Sequence, residues 1–461
     1  MNKELIKNLM SKVWMVYPYA SILAMESKGK TYSVSAQGII AEQNPYFTSR
    51  GYVIKAHNGK RYVEYAFNTL DEESISTIVD KISKLFVKTE DMDVNTYPSV
   101  SEEKMTLDHK YSARFDPEEY TDEYIIDRLS QAREVGLKTD ERILDCRTGL
   151  SYQKYTKYFL SEAKELTQTQ MWTTGRLGML VARDEEIKNY FTSYSSMEGI
   201  DVLDLIRADV KKVSAATLEL LNSEKITPGT YECVCTPEVT GMIAHEAFGH
   251  GVEMDMFVKD RALAKDYIGK QVASDIVTMH DGAKAYNEVA SYEFDDEGNL
   301  ATDTVIIKNG ILMRGINDMQ TALALNDVCT GNGRRQNYAH KTYTRMTNTF
   351  FEGGNDSVED MIASVSYGFL LDNPTCGMED PKNWGIQCMV NVAREIKDGK
   401  LTGRIFSPIV LSGYVPDLLK SISMMSRTPV LNGSGMCGKG YKEWVKVSDG
   451  GPYIKARIRL G

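Results

Sequence analysis

Polar and apolar positions alternate through residues 21–39, "SILAMESKGKTYSVSAQGI". A period of two predicts a β-hairpin, here turning at Lys28-Gly29-Lys30. Residues 50–68, "RGYVIKAHNGKRYVEYAFN", repeat the design around Asn58-Gly59, which reads as a two-residue turn. The period then changes. "TLDEESISTIVDKISKLF" at 69–86 is helical, with acids in its first turn and bases in its last. Residues 120–135 and 200–222 form two more amphipathic helices, and 142–195 reads as strands joined by polar turns.

The character shifts at "SEKITPGTYECVCTP", residues 223–237. One helical stretch follows, and then the chain is strand-rich. Residues 291–316, 386–413 and 443–460 read as antiparallel hairpins with polar or glycine turns rather than βαβ units. The fold class is therefore α+β. A mixed α/β N-terminal domain spans 1–225, and a mostly antiparallel β domain spans 226–461.

Length supports two domains, since 461 residues exceed what one core ordinarily serves. The net charge of −10 comes with no Lys/Arg stripe. That excludes nucleic acid and anionic membranes as expected partners. No apolar run reaches the roughly 18 residues of a membrane span. The start, "MNKELIKNLMSKVWMVYPYASILAM", pairs a mildly basic segment with an uncharged one. Glu4, Pro18, two tyrosines and the lack of a small-x-small cleavage site argue against a signal peptide. It reads as a short amphipathic helix running into a strand. The seven cysteines are odd in number, scattered and without a C-x-x-C pair. They fit a reducing, cytoplasmic compartment. Cys233 and Cys235 fall on one strand face, as core.

The chemistry centres on "MIAHEAFGHGVEMD", residues 242–255. His245, Glu246 and His250 resemble the H-E-x-x-H of zinc peptidases, but the histidines are five apart rather than four. On a regular α-helix, positions i and i+4 lie about 40° apart and i and i+5 about 140° apart. Two imidazoles could then meet one ion only if the helix widened into a π-turn or broke at Gly249-x-Gly251, the second glycine freeing the backbone. Granted that distortion, both histidines are zinc ligands, and Glu246 is general base on a zinc-bound water. A third ligand is still required, with Glu253, Asp255, His280 and Cys437 as candidates. Glu253 and Asp255 could instead orient an imidazole, and His280 suits a turn.

Other polar segments carry paired readings. Asp295, Asp296 and Glu297 suit a hairpin turn, or a site for a cation or substrate amine. Arg334 and Arg335 could grip a peptide carboxylate bidentately, or shape a loop. Arg345, Thr347 and Asn348 could bond a peptide backbone, or complete a strand edge. Glu253, Arg334, Arg335 and Asn348 make up the substrate-binding candidates.

In the C-terminal half the segments "HEAFGHGVEMD", "GKQVASDIVTMHD", "DDEGN", "TGNGRRQNY", "RMTNT" and "GMCGKG" resemble, in order and spacing, the TldD/PmbA (TldD/TldE) family of zinc metallopeptidases. The motif matches its TldD-type catalytic branch, since the PmbA/TldE branch lacks H-E-x-x-x-H. The resemblance implies that His245, His250 and Cys437 hold Zn2+ and that Glu246 is the catalytic base. It also implies a barrel-like C-terminal domain, and dimers that enclose a cavity admitting unfolded or small modified peptides. The partner would be a second copy or a PmbA/TldE-type subunit. After Cys437 the family continues with a Gly-Gln pair, where this chain reads "GKGYKEWV" and has a different neighbouring wall. The function expected is a zinc-dependent peptidase holding its peptide along a strand edge. The rivals are another zinc amidohydrolase and a non-catalytic peptide-binding scaffold.

Overall fold

The computed structural model describes residues 1–89, 96–441 and 443–461. The first sheet is built on three long strands: β1 (Tyr19–Ser35), β6 (Ile143–Leu160) and β7 (Lys164–Arg183). Around them lie β2 (Gly38–Gln43), β3 (Ser49–His57), β4 (Tyr62–Phe67), β5 (Met105–Lys110) and β8 (Glu186–Ser196). The strand order is β4-β3-β1-β6-β7-β5, with β2 on β1 and β8 on β7. Alternation decides what each face meets. Ile22 and Ala24 pack on helices α1 (Lys3–Trp14) and α2 (Ser74–Thr89). Tyr32 and Val34 pack on α3 (Asp122–Leu137) and α4 (Val202–Glu219). Leu23, on the opposite face, joins Phe159, Leu166 and Phe294 and so ties the sheet to the C-terminal half.

The hairpin expected at Lys28-Gly29-Lys30 is absent, because β1 runs straight through it and turns at Ala36-Gln37. Gly29 is there for room: a Cβ would lie 2.2 Å from the Tyr152 carbonyl. The turn at Asn58-Gly59 is four residues long, His57 pairing with Tyr62. Asp71, Glu72 and Glu73 precede α2 rather than entering its first turn, and Asp71 accepts from the Ser74 amide at 2.8 Å. α1 begins at an Asn2 cap and buries Ile6, Leu9, Met10 and Val13, as the amphipathic reading expects.

In the C-terminal half, five strands close a barrel. Gly229–Cys235 pairs with Tyr367–Asp380 and Ile454–Leu460. Ile409–Tyr414 pairs with Ile454–Leu460 and Gly385–Lys397, and Gly385–Lys397 returns to Tyr367–Asp380. The first of these pairings is parallel, as is Asn348–Phe351 with Ser448–Gly451, so the half is mostly but not wholly antiparallel. A six-stranded sheet and a short hairpin, Met436–Lys439 with Glu443–Lys446, flank the barrel. Cys233 and Cys235 lie in the core, and all seven cysteines are unbonded. Among the described residues no helix is long and apolar enough to cross a membrane.

Candidate metal centre

The H-E-x-x-x-H stretch takes the π option. An α-helical turn, Pro237–Met242, widens into a π-helical segment over Ile243–Gly249. The His250 amide donates to the His245 carbonyl, an i to i+5 bond between the two histidines themselves. The rings come together at 5.0 Å between centroids, perpendicular to each other. The two glycines do not release the backbone as expected. Gly249 has helical angles, and neither glycine has a positive φ. Both make space: a Cβ on Gly249 would meet Met346 Sδ at 2.2 Å, and one on Gly251 would meet Glu379 Oε1 at 2.6 Å.

Cys437 completes the group from the Met436–Lys439 strand. His245, His250 and Cys437 each offer a ligand atom, all within 4.8 Å of one another. The Cys437 Sγ to His250 Nε2 distance is 3.6 Å. A tetrahedral ion with bonds of about 2.0–2.3 Å separates its ligand atoms by roughly 3.3–3.7 Å. Two imidazoles and a thiolate are also a donor set that suits zinc. The electrostatics agree. Burial would push His245 down, but the Cys437 thiolate raises it to about 9. Burial would raise Cys437, but the two imidazoles hold it well below the usual thiol range. A thiolate between two cationic rings is a centre whose protons a metal cation can displace. His245 Nδ1 is buried without a hydrogen-bond partner, 3.8 Å from Asp449 Oδ2.

Glu246 lies beside the triad, Oε2 at 4.0 Å from His250 Nε2. Its side chain runs along the Tyr367–Asp380 strand at Gly377, where a Cβ would come within 2.5 Å of Glu246 Cγ. Two residues on, Glu379 reaches the same region. Both its oxygens are buried and unpartnered, as is Trp384 Nε1, and burial raises its carboxyl well above the usual range. Neither Glu379 nor Asp449 is signalled by a motif, since strand pairing brings both in.

The other candidates fall elsewhere. Glu253 is a correction to the substrate-binding set: it is buried, and its Oε2 lies 3.2 Å from His250 Nδ1 and 2.9 Å from Lys439 Nζ. It turns the imidazole so that Nε2 faces Cys437. Lys439 also donates to Asp255 at 2.7 Å and to the Thr344 carbonyl at 3.0 Å. Strand alternation from Cys437 could have found it. Lys442, in the divergent "GKGYKEWV" segment, lies outside the described residues. His280 is on a strand rather than in a turn, between Asp303 and Glu352. Asn348 donates to the Gly282 and Tyr286 carbonyls and to Ser291, so its amide is engaged inside the fold. Arg335 pairs with Glu64 at 3.0 Å and donates to the His340 carbonyl. Arg334 donates to the Met346 and Lys446 carbonyls. Neither arginine joins the triad. Arg345 donates to the Cys437 carbonyl at 2.6 Å and so braces the ligand strand. Asp295, Asp296 and Glu297 form a buried turn that does receive amines, but from the protein's own Lys157 and Lys55.

Comparison with known proteins accords with this geometry. Residues 228–458 match the family described as the PmbA/TldA metallopeptidase C-terminal domain. The chain belongs to the TldD/PmbA family of metallopeptidases. A metalloprotease TldD homolog of Buchnera aphidicola subsp. Schizaphis graminum is 35% identical over 255 residues, covering 54% of this chain and 52% of that protein. A zinc metalloprotease TldD homolog of Saccharolobus solfataricus is 27% identical over 313 residues, covering 67% of this chain and 69% of that one. With the first of these the matched region spans about half the relative's length. The crystal structure of TldE from Thermococcus kodakarensis superposes with a TM-score of 0.75 at 16% identity, covering 99% of this chain and 100% of that one. That likeness carries the fold alone.

Proposed function

We propose that this chain is a TldD-type, zinc-dependent peptidase acting on unfolded or small modified peptides. Residues 1–225 and 226–461 would be its two domains, with the chemistry in the second. His245, His250 and Cys437 would hold the metal, and the observation that carries the reading is their convergence within 4.8 Å beside Glu246. Bound zinc supplies an acidified water and a Lewis acid for the carbonyl. Glu246 takes the proton of the attacking water and is placed to return it to the leaving amine. Glu253 and Lys439 fix the His250 ring, and Gly377 leaves the Glu246 side chain its path. The printed name of the Saccharolobus relative supports zinc. The TldE likeness supports a partner of that type or a second copy. The unbonded cysteines support a cytoplasmic setting.

The test is metal content and hydrolysis of an unstructured peptide, for wild type and Glu246→Gln, alone and with a TldE-type partner. Expected are one zinc per chain in both, and turnover lower by about 10²–10⁴-fold in the variant. Loss of zinc in Glu246→Gln would remove the assigned role. Zinc without hydrolysis under every condition would favour the scaffold.

A further inference from the structure

The hairpin carrying Cys437 has a second side. Cys437 and Lys439 face His250 and Glu253. Met436, Trp444 and Lys446 instead line a cavity of about 250 Å3 between the hairpin and the N-terminal sheet. That is slightly below the usual range of ligand pockets, about 300–1,000 Å3, and gives room for one or two residues.

Four cations line this cavity, and two are neutralised: Lys157 by Asp296 at 2.5 Å and Arg335 by Glu64 at 3.0 Å. Lys446 and Arg334 are not. Among the described residues neither has a carboxylate within ion-pair distance. Lys446 Nζ has the Thr174 hydroxyl at 3.2 Å and the Trp172 ring face at 4.3 Å. Arg334 has two backbone carbonyls and the Tyr292 ring. Both side chains are buried, with 6% and 8% of their surface exposed. An unpaired buried cation is costly, and an anion relieves the cost. Burial, together with Arg176, holds Lys446 down at about 7, and a carboxylate beside it would raise it again. The walls are aromatic: Phe47 packs edge-to-face on Trp172 at 4.8 Å, and the mouth is marked by Tyr46 and Trp444, 65% and 41% exposed.

We infer that this cavity binds a small carboxylate with an aromatic or apolar body, its carboxylate toward Lys446 and Arg334 and its body against Trp172 and Trp444. The ligand is a free aromatic acid or the C-terminal residue of a peptide. The site is separate from the metal centre, and its test reads binding rather than turnover.

The probes are acetyl-phenylalanine, its amide, and acetyl-Ala-Ala-Phe, titrated calorimetrically into the full chain. The acid is expected to bind at least tenfold more tightly than the amide, and this ratio should fall to near one in Lys446→Met. Equal binding of acid and amide by wild type, or survival of the ratio in Lys446→Met, overturns the site. Should that variant not fold, Trp444→Ala at the mouth serves. It should weaken acid and amide alike by several-fold, and unchanged affinity counts against the site. Tighter binding of acetyl-Ala-Ala-Phe than of acetyl-phenylalanine assigns the peptide C-terminus; the reverse assigns the free acid.

Discussion

Two buried acidic groups, one around His250 and one at residues 295–297, meet the same physical demand in different ways. At 295–297 the carboxylates are answered within the chain. Asp295 accepts from the Gly333, Glu297 and Asn299 amides, each at 2.9 Å. Asp296 takes the Arg335 amide at 2.7 Å and Lys157, and Glu297 takes the Met319 amide at 2.7 Å and Lys55. Around His250, one oxygen of Glu253, both of Glu379, Trp384 Nε1 and His245 Nδ1 are buried with no partner. Each such atom costs about 1–3 kcal/mol. A fold that satisfies one acidic group and leaves the other open separates a joint from a workplace. The first group clamps the N-terminal sheet to the barrel half, and the second keeps polar atoms free for water, metal or substrate.

Experiments can break or sharpen that contrast. The largest effect is expected at the clamp, where Lys55→Met leaves Glu297 without its cation. Chemical denaturation should show a loss of about 3–5 kcal/mol, with zinc content unchanged; a loss of zinc would mean that the two groups are not separate. Next is Gly377→Ala, whose methyl takes the path of Glu246. Displacing a catalytic side chain by about 1 Å can cost about 10²-fold, so turnover should fall by that order while stability and zinc hold. Unaltered turnover would show that Glu246 does not depend on this contact. Glu253→Gln should weaken zinc affinity about 10–100-fold in competition with a chelator, as expected when a ligand's orienting partner is altered.

The smallest effect is in pH. Burial would raise Glu64, but Arg335 and Lys55 draw it down to about 2. Its folded value thus lies below the ordinary value of about 4.3. Its contribution to stability is full above about pH 4.3 and is lost as pH falls towards about 2. Glu64→Gln should flatten that part of the acid-denaturation profile, and an unchanged profile would remove Glu64 from the clamp.

The sequence was most legible where chemistry and spacing coincide. The five-residue separation of His245 and His250 dictates a distortion, and a π-turn is what forms. Glycines misled twice. Gly29 read as a turn and Gly251 as a backbone release, yet each is present because something packs where a Cβ would be. A sequence shows that a glycine is there, but not which neighbour excludes the methyl. Cys437 was one candidate among several until the family resemblance singled it out. Glu379 and Asp449 were beyond reach because barrel closure and strand pairing bring them to the site, and neither leaves a local period. The arginines and Asn348 show the reverse error: polar groups that look available in a string are engaged by carbonyls once the chain folds.

A π-turn is an α-helix that has absorbed one extra residue. Taking one residue out between Glu246 and His250 would return the pair to four-residue spacing and to a single helical face. The five-spaced centre and the four-spaced one therefore stand a single codon apart in register. The inserted residue swings everything downstream by about 100°. That swing delivers Glu253 to the His250 ring, so the support of the second histidine was gained in the same event that moved it.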